Sequence, residues 1–364
     1  MNSTDRYVNL DALRGLAAIL VALFHFDLRF AAHGYLAVDF FFVLSGFVLS
    51  KAYVPRFKSG LGTKEFMVRR FIRLYPLFFV GLAIGFFFLL QGTIRQSNQH
   101  LETMPLLLSL LPNVLMLPYP FERVLFPINA PAWSLFLEIV ANLVLAIGAW
   151  RLGSKSLLLV VAISAIGMCL GAYAFQSTDA GRLLIDQNVS TMASGAAWSE
   201  FGVGLLRTIF SFSSGMLIAS VEPTDRLRRA RFWLIPSLAI LAALLIVPVP
   251  KDYLLGYDLV VAIVASPTLI LLASRSEPLP RLVPMATLLG ELSFALYAVH
   301  MPISHAFQWA ARALHLSLEV LAPFYVLTAL TISWLAVRFV DIPLRQYLTA
   351  KWKARNYGSI PLNS

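Results

Sequence analysis

An arginine and a histidine stand eleven residues apart inside the first apolar run, Arg14 and His25. Eleven residues make about three α-helical turns, so both side chains project from one face, roughly 16 Å apart along the axis. Taken singly, Arg14 could snorkel to the interface and His25 could bond a neighbouring helix. Together on one stripe, and costly at membrane depth, they suggest a lined pathway. If the turn after this run centres near His33, His25 and the downstream Asp39 both lie roughly 10 Å from it. Asp39 could then orient and charge-stabilise His25 as a general base; the plain alternative is that it caps the second helix. Glu138 falls at a similar depth from the start of the fourth run, and His300 sits nearer the middle of the ninth, where a packing role competes.

A second cluster, Arg69, Arg70 and Arg73, stands where a basic loop meets the third apolar run. It could anchor lipid headgroups or grip the phosphates of a cytosolic cofactor, because guanidinium binds phosphate bidentately. No Walker loop, no GxGxxG after a strand and no HExxH spacing is present, so ATP-driven transport and metallohydrolysis have no support and no metal is expected.

The elements that must position these residues follow from composition. Of 364 residues 59% are hydrophobic and 13% charged, against roughly a quarter charged in soluble domains. The chain reads as an all-α polytopic membrane protein. Ten runs are long enough to span: about 10–30, 36–54, 75–91, 132–150, 156–175, 203–221, 232–249, 253–273, 285–310 and 320–340. An eleventh, 104–118, is broken by Pro105, Pro112 and Pro118 and is expected as a re-entrant or interfacial segment. The net charge of +10 suits retention of basic loops on one side better than nucleic acid. With ten spans and both termini inside, twenty-one basic residues fall on the cytoplasmic side and six outside, leaving Arg14 and Arg207 within spans. The single cysteine, Cys169, excludes an internal disulfide. Residues 1–345 read as one transmembrane domain and 346–364 as a basic cytoplasmic tail. The longest outer loop, 176–202, carries an Asn188-Val189-Ser190 triplet of little diagnostic weight.

Five stretches resemble the acyltransferase type 3 family of membrane O-acyltransferases, in order and over about residues 7–347. They are LDALRGLAAILVALFHF with Arg14 and His25, GYLAVDFFFVLSGFVLS with Asp39, Ser45 and Gly46, and FMVRRFIRLYPLFF with Arg69, Arg70, Arg73 and Pro76. PAWSLFLEIVANL follows with Trp133, Ser134 and Glu138, then LGELSFALYAVHMPI with Ser293, Tyr297, His300 and Pro302. The residues after Glu138 depart from an aromatic pair common in the family, and Asp341 stands where glutamate is common. No SGNH-type hydrolase domain accompanies the sequence, so a stand-alone enzyme is expected.

The resemblance implies an acyl-CoA donor, usually acetyl-CoA, and a hydroxyl of a cell-surface or exported glycan or glycolipid as acceptor, in a bacterial inner (plasma) membrane. It assigns His25, Asp39 and Glu138 to catalysis. Arg14, Ser45, Arg69, Arg70 and Arg73 would hold the coenzyme, and Trp133, Tyr297 and His300 would contact the acceptor. Whether His25 acts as base or carries the acyl group stays open. A transporter or flippase is the alternative that intramembrane Arg, His, Asp and Glu also allow; a lipid or small natural product as acceptor is a third.

Overall fold

Apolar runs of this length become helices because a bilayer offers no water to satisfy backbone N–H and C=O groups. The computed structural model describes residues 7–95, 100–186, 189–193, 195–221, 234–276 and 279–357; Arg6, Asn188 and the basic loop at 226–231 lie outside them. In chain order the helices are α1 (Val8–Phe26), α2 (Ala37–Lys58), α3 (Thr63–Arg95), α4 (His100–Val114), α5 (Ala132–Ile147), α6 (Ser154–Gln176) and α7 (Asp179–Asp186). They continue with α8 (Phe201–Val221), α9 (Leu234–Ile246), α10 (Leu254–Val260), α11 (Ser266–Ser274), α12 (Val283–Leu314), α13 (Leu318–Leu335) and α14 (Ile342–Tyr357). Short π-helical segments, Val261–Ala265 and Ala336–Asp341, join α10 to α11 and α13 to α14 without a break. Among the described residues there is no strand; an isolated bridge joins Val124 and Ala197.

The protein is an all-α polytopic membrane protein. Eight helical stretches among the described residues are long and apolar enough to cross a bilayer, and three shorter apolar helices accompany them. Two of these, α5 and α9, correspond to runs expected to span. On α6, Leu158, Ile163, Ile166, Leu170 and Tyr173 are exposed, a face whose natural solvent is lipid.

The proline-broken run dips back into the bundle. Tyr75 Oη donates to Val114 O at the end of α4, and twenty residues of α3, about 30 Å, separate Tyr75 from Arg95. The chain then returns through irregular backbone that the protein itself satisfies, as membrane depth requires. Leu125 N donates to Ala196 O, Trp198 N to Arg123 O, and Asn129 Nδ2 to Ala298 O. Consequently α5 is a partial helix of about 24 Å. Its last turn is tied to the start of α3, where Thr63 Oγ1 donates to Ala146 O.

Two parallel pairs form the centre, α1 with α12 and α2 with α8. Close approach in the first needs glycine: a Cβ at Gly290 would lie 2.5 Å from Asp11 Cβ, and one at Gly15 2.5 Å from Leu289 Cβ. Beyond the last run, α14 carries the helix across residue 345 to Tyr357.

Candidate active site

The α1–α12 pair is pinned at both ends by polar contacts. Near the start, the Arg14 guanidinium donates to Gly290 O and pairs with Asp11 at 3.1 Å. Near the finish, Ser304 Oγ donates to His25 O at 3.0 Å and Gln308 Nε2 to Phe26 O at 2.9 Å. These bonds satisfy the last carbonyls of α1, which have no partner within their own helix.

Between the pins, His25 meets His300, with His300 Nε2 3.2 Å from His25 Nδ1. His300 Nδ1 lies 2.7 Å from Tyr297 O, and His25 Nδ1 lies 2.9 Å from Val21 O. Carbonyls only accept, so the network assigns the neutral tautomers. His300 carries its hydrogen on Nδ1 and accepts at Nε2; His25 therefore carries its hydrogen on Nδ1. His25 Nε2 is left unprotonated, the state in which an imidazole can take a proton.

Asp39 does not supply this orientation. Its carboxylate accepts from Arg207 Nε at 3.1 Å and Arg207 Nη2 at 2.7 Å, with both residues fully buried. Depth along a helix can be read from sequence but rotation about it cannot, and α2 turns Asp39 toward α8 rather than α1. His300, expected among the acceptor contacts, is fully buried against His25 and Tyr297. Its ring nitrogens meet His25 Nδ1 and Tyr297 O.

Glu138 also sits elsewhere than expected. Because α5 is partial, six residues from its start is not a shallow depth but a level close to the arginines. Arg70 Nη2 donates to Glu138 Oε1 at 2.9 Å and Ser45 Oγ donates to the same oxygen at 3.0 Å. Around them, Arg69 pairs with Glu65, and Arg73 and Arg345 both approach Asp341, at 3.7 and 3.4 Å. Arg14, Arg69, Arg70, Arg73 and Arg345 thus face four carboxylates, an excess of positive charge that suits an anion.

A cavity of about 170 Å³ runs inward from this cluster. Arg14, Arg70 and Arg73 stand in its wall with Ser45 and Glu138, and its far side carries Ser134 and Tyr297, whose hydroxyls are 2.7 Å apart. His25 is not itself in that wall. Tyr297, one turn before His300 on α12, is the wall residue nearest the histidine pair along the chain, its ring centre 5.5 Å from that of His300.

Trp133, expected on the acceptor side, is buried, with 6% of its surface exposed. A Cβ at Gly195 (φ +141°) would lie 2.5 Å from its ring, so this positive-φ glycine is what allows the segment before α8 to lie against Trp133. The Arg207 guanidinium lies 5.8 Å from the ring centre on another side.

Three further features escape the sequence reading. Arg207 is a charge within a span, so the cost rule for intramembrane ions could have flagged it and demanded a carboxylate partner. Asp258, also in an apolar run, accepts from Tyr35 Oη at 2.6 Å and meets His33 Nδ1 at 3.1 Å, all three buried. Arg345 counts in the sequence only among the basic residues of the cytoplasmic end, yet it meets Asp341 beside Arg73. Among the described residues no cluster of metal-ligating side chains occurs.

Comparison with known proteins agrees with this architecture. The family model described as an acyltransferase domain matches residues 7–338. Protein 2 in the picA locus of Rhizobium radiobacter is 37% identical over 185 residues, 47% of this chain and 97% of that protein. Nodulation protein 10 of Rhizobium leguminosarum bv. viciae is 23% identical over 387 aligned positions, 96% of this chain and 97% of its own length. The peptidoglycan O-acetyltransferase OatA of Listeria monocytogenes is 35% identical over 91 residues, 23% of this chain but only 15% of that relative. No solved structure matches the chain. A helical membrane bundle that brings five ordered motifs to one polar interior, and a family match over nearly its whole length, lead to one conclusion: the chain belongs to the acyltransferase type 3 family.

Proposed function

We propose that this protein is an O-acetyltransferase that takes acetyl from cytosolic acetyl-CoA and gives it to a hydroxyl of a cell-surface or exported glycan. The observation that carries the reading is the His25–His300 pair, with an unprotonated Nε2 on His25 beyond a chamber that begins among arginines. The basic end of the bundle faces the cytosol by the retention of positive loops. Arg69, Arg70 and Arg73 then meet the coenzyme's phosphates, and the pantetheine arm lies in the chamber past Arg14 and Ser45 toward Tyr297.

The acceptor hydroxyl arrives from the outer side and gives its proton to His25 Nε2 as its oxygen attacks the thioester carbonyl carbon. The C–O bond forms, the tetrahedral centre collapses, the C–S bond breaks, and the imidazolium returns the proton to the departing sulfur. The products are the acetyl ester and free coenzyme A thiol. The Tyr297 and Ser134 hydroxyls at the chamber's inner end bond each other and Pro131 O; one of them turns from Pro131 O to donate to the carbonyl oxygen. Glu138, bonded to Arg70 and Ser45, shapes the donor side.

Two relatives named as O-acetyltransferases of peptidoglycan, one of them putatively, support a carbohydrate acceptor. The test is the mass of surface glycan in a strain lacking the protein, restored with the wild type or with His25→Ala. A gain of one acetyl unit with the wild type alone is the expected result; identical glycan in all three strains would remove the reading.

Arg73→Ala raises the apparent KM for acetyl-CoA about tenfold or more, the worth of one lost charge-assisted phosphate contact. Arg73 tests this more cleanly than Arg70, because Asp341 keeps the Arg345 charge as a partner whereas Glu138 would lose the Arg70 charge and be left with the Ser45 hydroxyl. Initial rates against donor concentration check it, and an unchanged KM would take Arg73 out of the donor site.

A further inference from the structure

The basic segment after residue 345 reads as a solvated tail, and the reaction just described does not use it. Its structure is that of a wall. The helix runs unbroken from α13 through the π-helical segment into α14, and Arg345, Thr349 and Trp352 recur on it at spacings of four and three, with Lys353 beside the last. Such spacing gathers side chains on one helix face. That face closes a groove of about 740 Å³ whose opposite side is formed by Arg69, Arg70 and Arg73 of α3, with Tyr53 of α2.

Three observations make this groove more than a charged surface. Its volume is that of a ligand site. Arg70 and Arg73 stand in its wall and also in the wall of the inner chamber, so the two spaces share a boundary. Aromatic surface is mixed with the charge: the Arg69 guanidinium lies 5.9 Å from the centre of the Trp352 ring, and Tyr53 lines the same groove. Asp341, at the end of the π-helical segment, meets both Arg73 and Arg345 and so ties α14 to α3. Interfacial Trp and Tyr also anchor helices at headgroup level, but here Trp352 and Tyr53 line a concave groove together with the cations, an arrangement that serves a base and its phosphates at once.

We propose that the α14 face forms the nucleotide half of the donor site and takes the adenosine phosphates of an acyl-CoA. This rests on the acyl-CoA reading above and adds to it the residues that tell a nucleotide-bearing thioester from a bare one. Arg345 and Lys353 join Arg69 on the phosphates, and the adenine stacks on Trp352 with Tyr53 across the groove. The thioester arm leaves past Arg70 and Arg73 into the chamber.

The experiment uses the full chain in lipid nanodiscs and two donors, acetyl-CoA and acetyl-pantetheine, which carries the same thioester without the nucleotide. The readout is the ratio of their kcat/KM values in the wild type, in Trp352→Leu and in Arg345→Gln/Lys353→Gln. Loss of a base stack, as in Trp352→Leu, and loss of charged phosphate contacts, as in the double variant, are each worth about tenfold, so the wild-type preference for acetyl-CoA falls about tenfold in each variant. A merely structural defect lowers both donors together and leaves the ratio unchanged, which would overturn the proposal while leaving the acyl-CoA reading intact. Failure of the wild type to consume either thioester, together with no binding of free coenzyme A, would overturn both. Discs of zwitterionic lipid alone and discs with anionic lipid separate the two sources of phosphate. A variant effect seen only with anionic lipid would assign the face to headgroups and contradict the proposal.

Discussion

His25→Ala abolishes acyl transfer while the bundle still assembles. The hydrogen-bond partners of the imidazole, His300 Nε2 and Val21 O, hold it in one tautomer with Nε2 unprotonated. Removing a positioned general acid–base costs about 10²–10⁴ in rate, and no other described side chain shares its position to substitute for it. Assembly survives because the pins of α1 against α12 are made by Arg14, Ser304 and Gln308 to backbone oxygens, not by the imidazole. Turnover with saturating donor and acceptor, beside elution as one species from a sizing column, checks both halves. His25→Gln is the sharper companion: it can keep a hydrogen bond but cannot take the proton, so it falls with alanine.

Arg207→Leu or Asp39→Leu alone prevents stable folding, whereas the double substitution recovers much of what either loses. The pair is fully buried and bidentate. Breaking a buried ion pair from one side costs about 3–5 kcal/mol, because it strands a charge without solvent, while replacing both partners by apolar groups is often nearly neutral. That cost is a large share of the stability of a typical protein. Arg207 also reaches Tyr35 O at 3.4 Å and lies beside Trp133, so the double variant keeps a fold with a loosened α2–α8–α5 junction. Thermal unfolding in detergent checks the order: wild type highest, double variant between, single variants lowest. Single variants as stable as the double would mean that the pair is solvated.

The contrast between these two sites shows what a sequence exposes. Hydropathy gives the position of a residue along a helix, and on that coordinate Arg14 and His25 were legible as one stripe; the structure sets them opposite Gly290 and His300 on a single partner helix. Rotation about the axis is another matter. Asp39 and His25 share a depth estimate, yet α2 carries Asp39 to Arg207, a residue the charge count had left inside a span without a role. Glu138 fails for a different reason: its depth was measured from Ala132 as though that were the membrane surface, and the re-entrant α4 moves the start of α5 into the bundle. The proline pattern at 105, 112 and 118 signalled the re-entrant segment but not its effect on the next helix. The tail looked solvated because its basic residues are common in cytosolic segments, and only the continuity of α13 into α14 turns one of its faces toward the arginines.

Thiol release by the protein reconstituted in vesicles tests the central claim most directly, with acetyl-CoA supplied at the basic face and a glycan acceptor at the other. The account predicts coenzyme A thiol in step with acetylated glycan for the wild type, none without acceptor, and none with His25→Ala. Acceptor that crosses the vesicle membrane with no thiol released, or a His25→Ala protein that releases thiol at the wild-type rate, would contradict it.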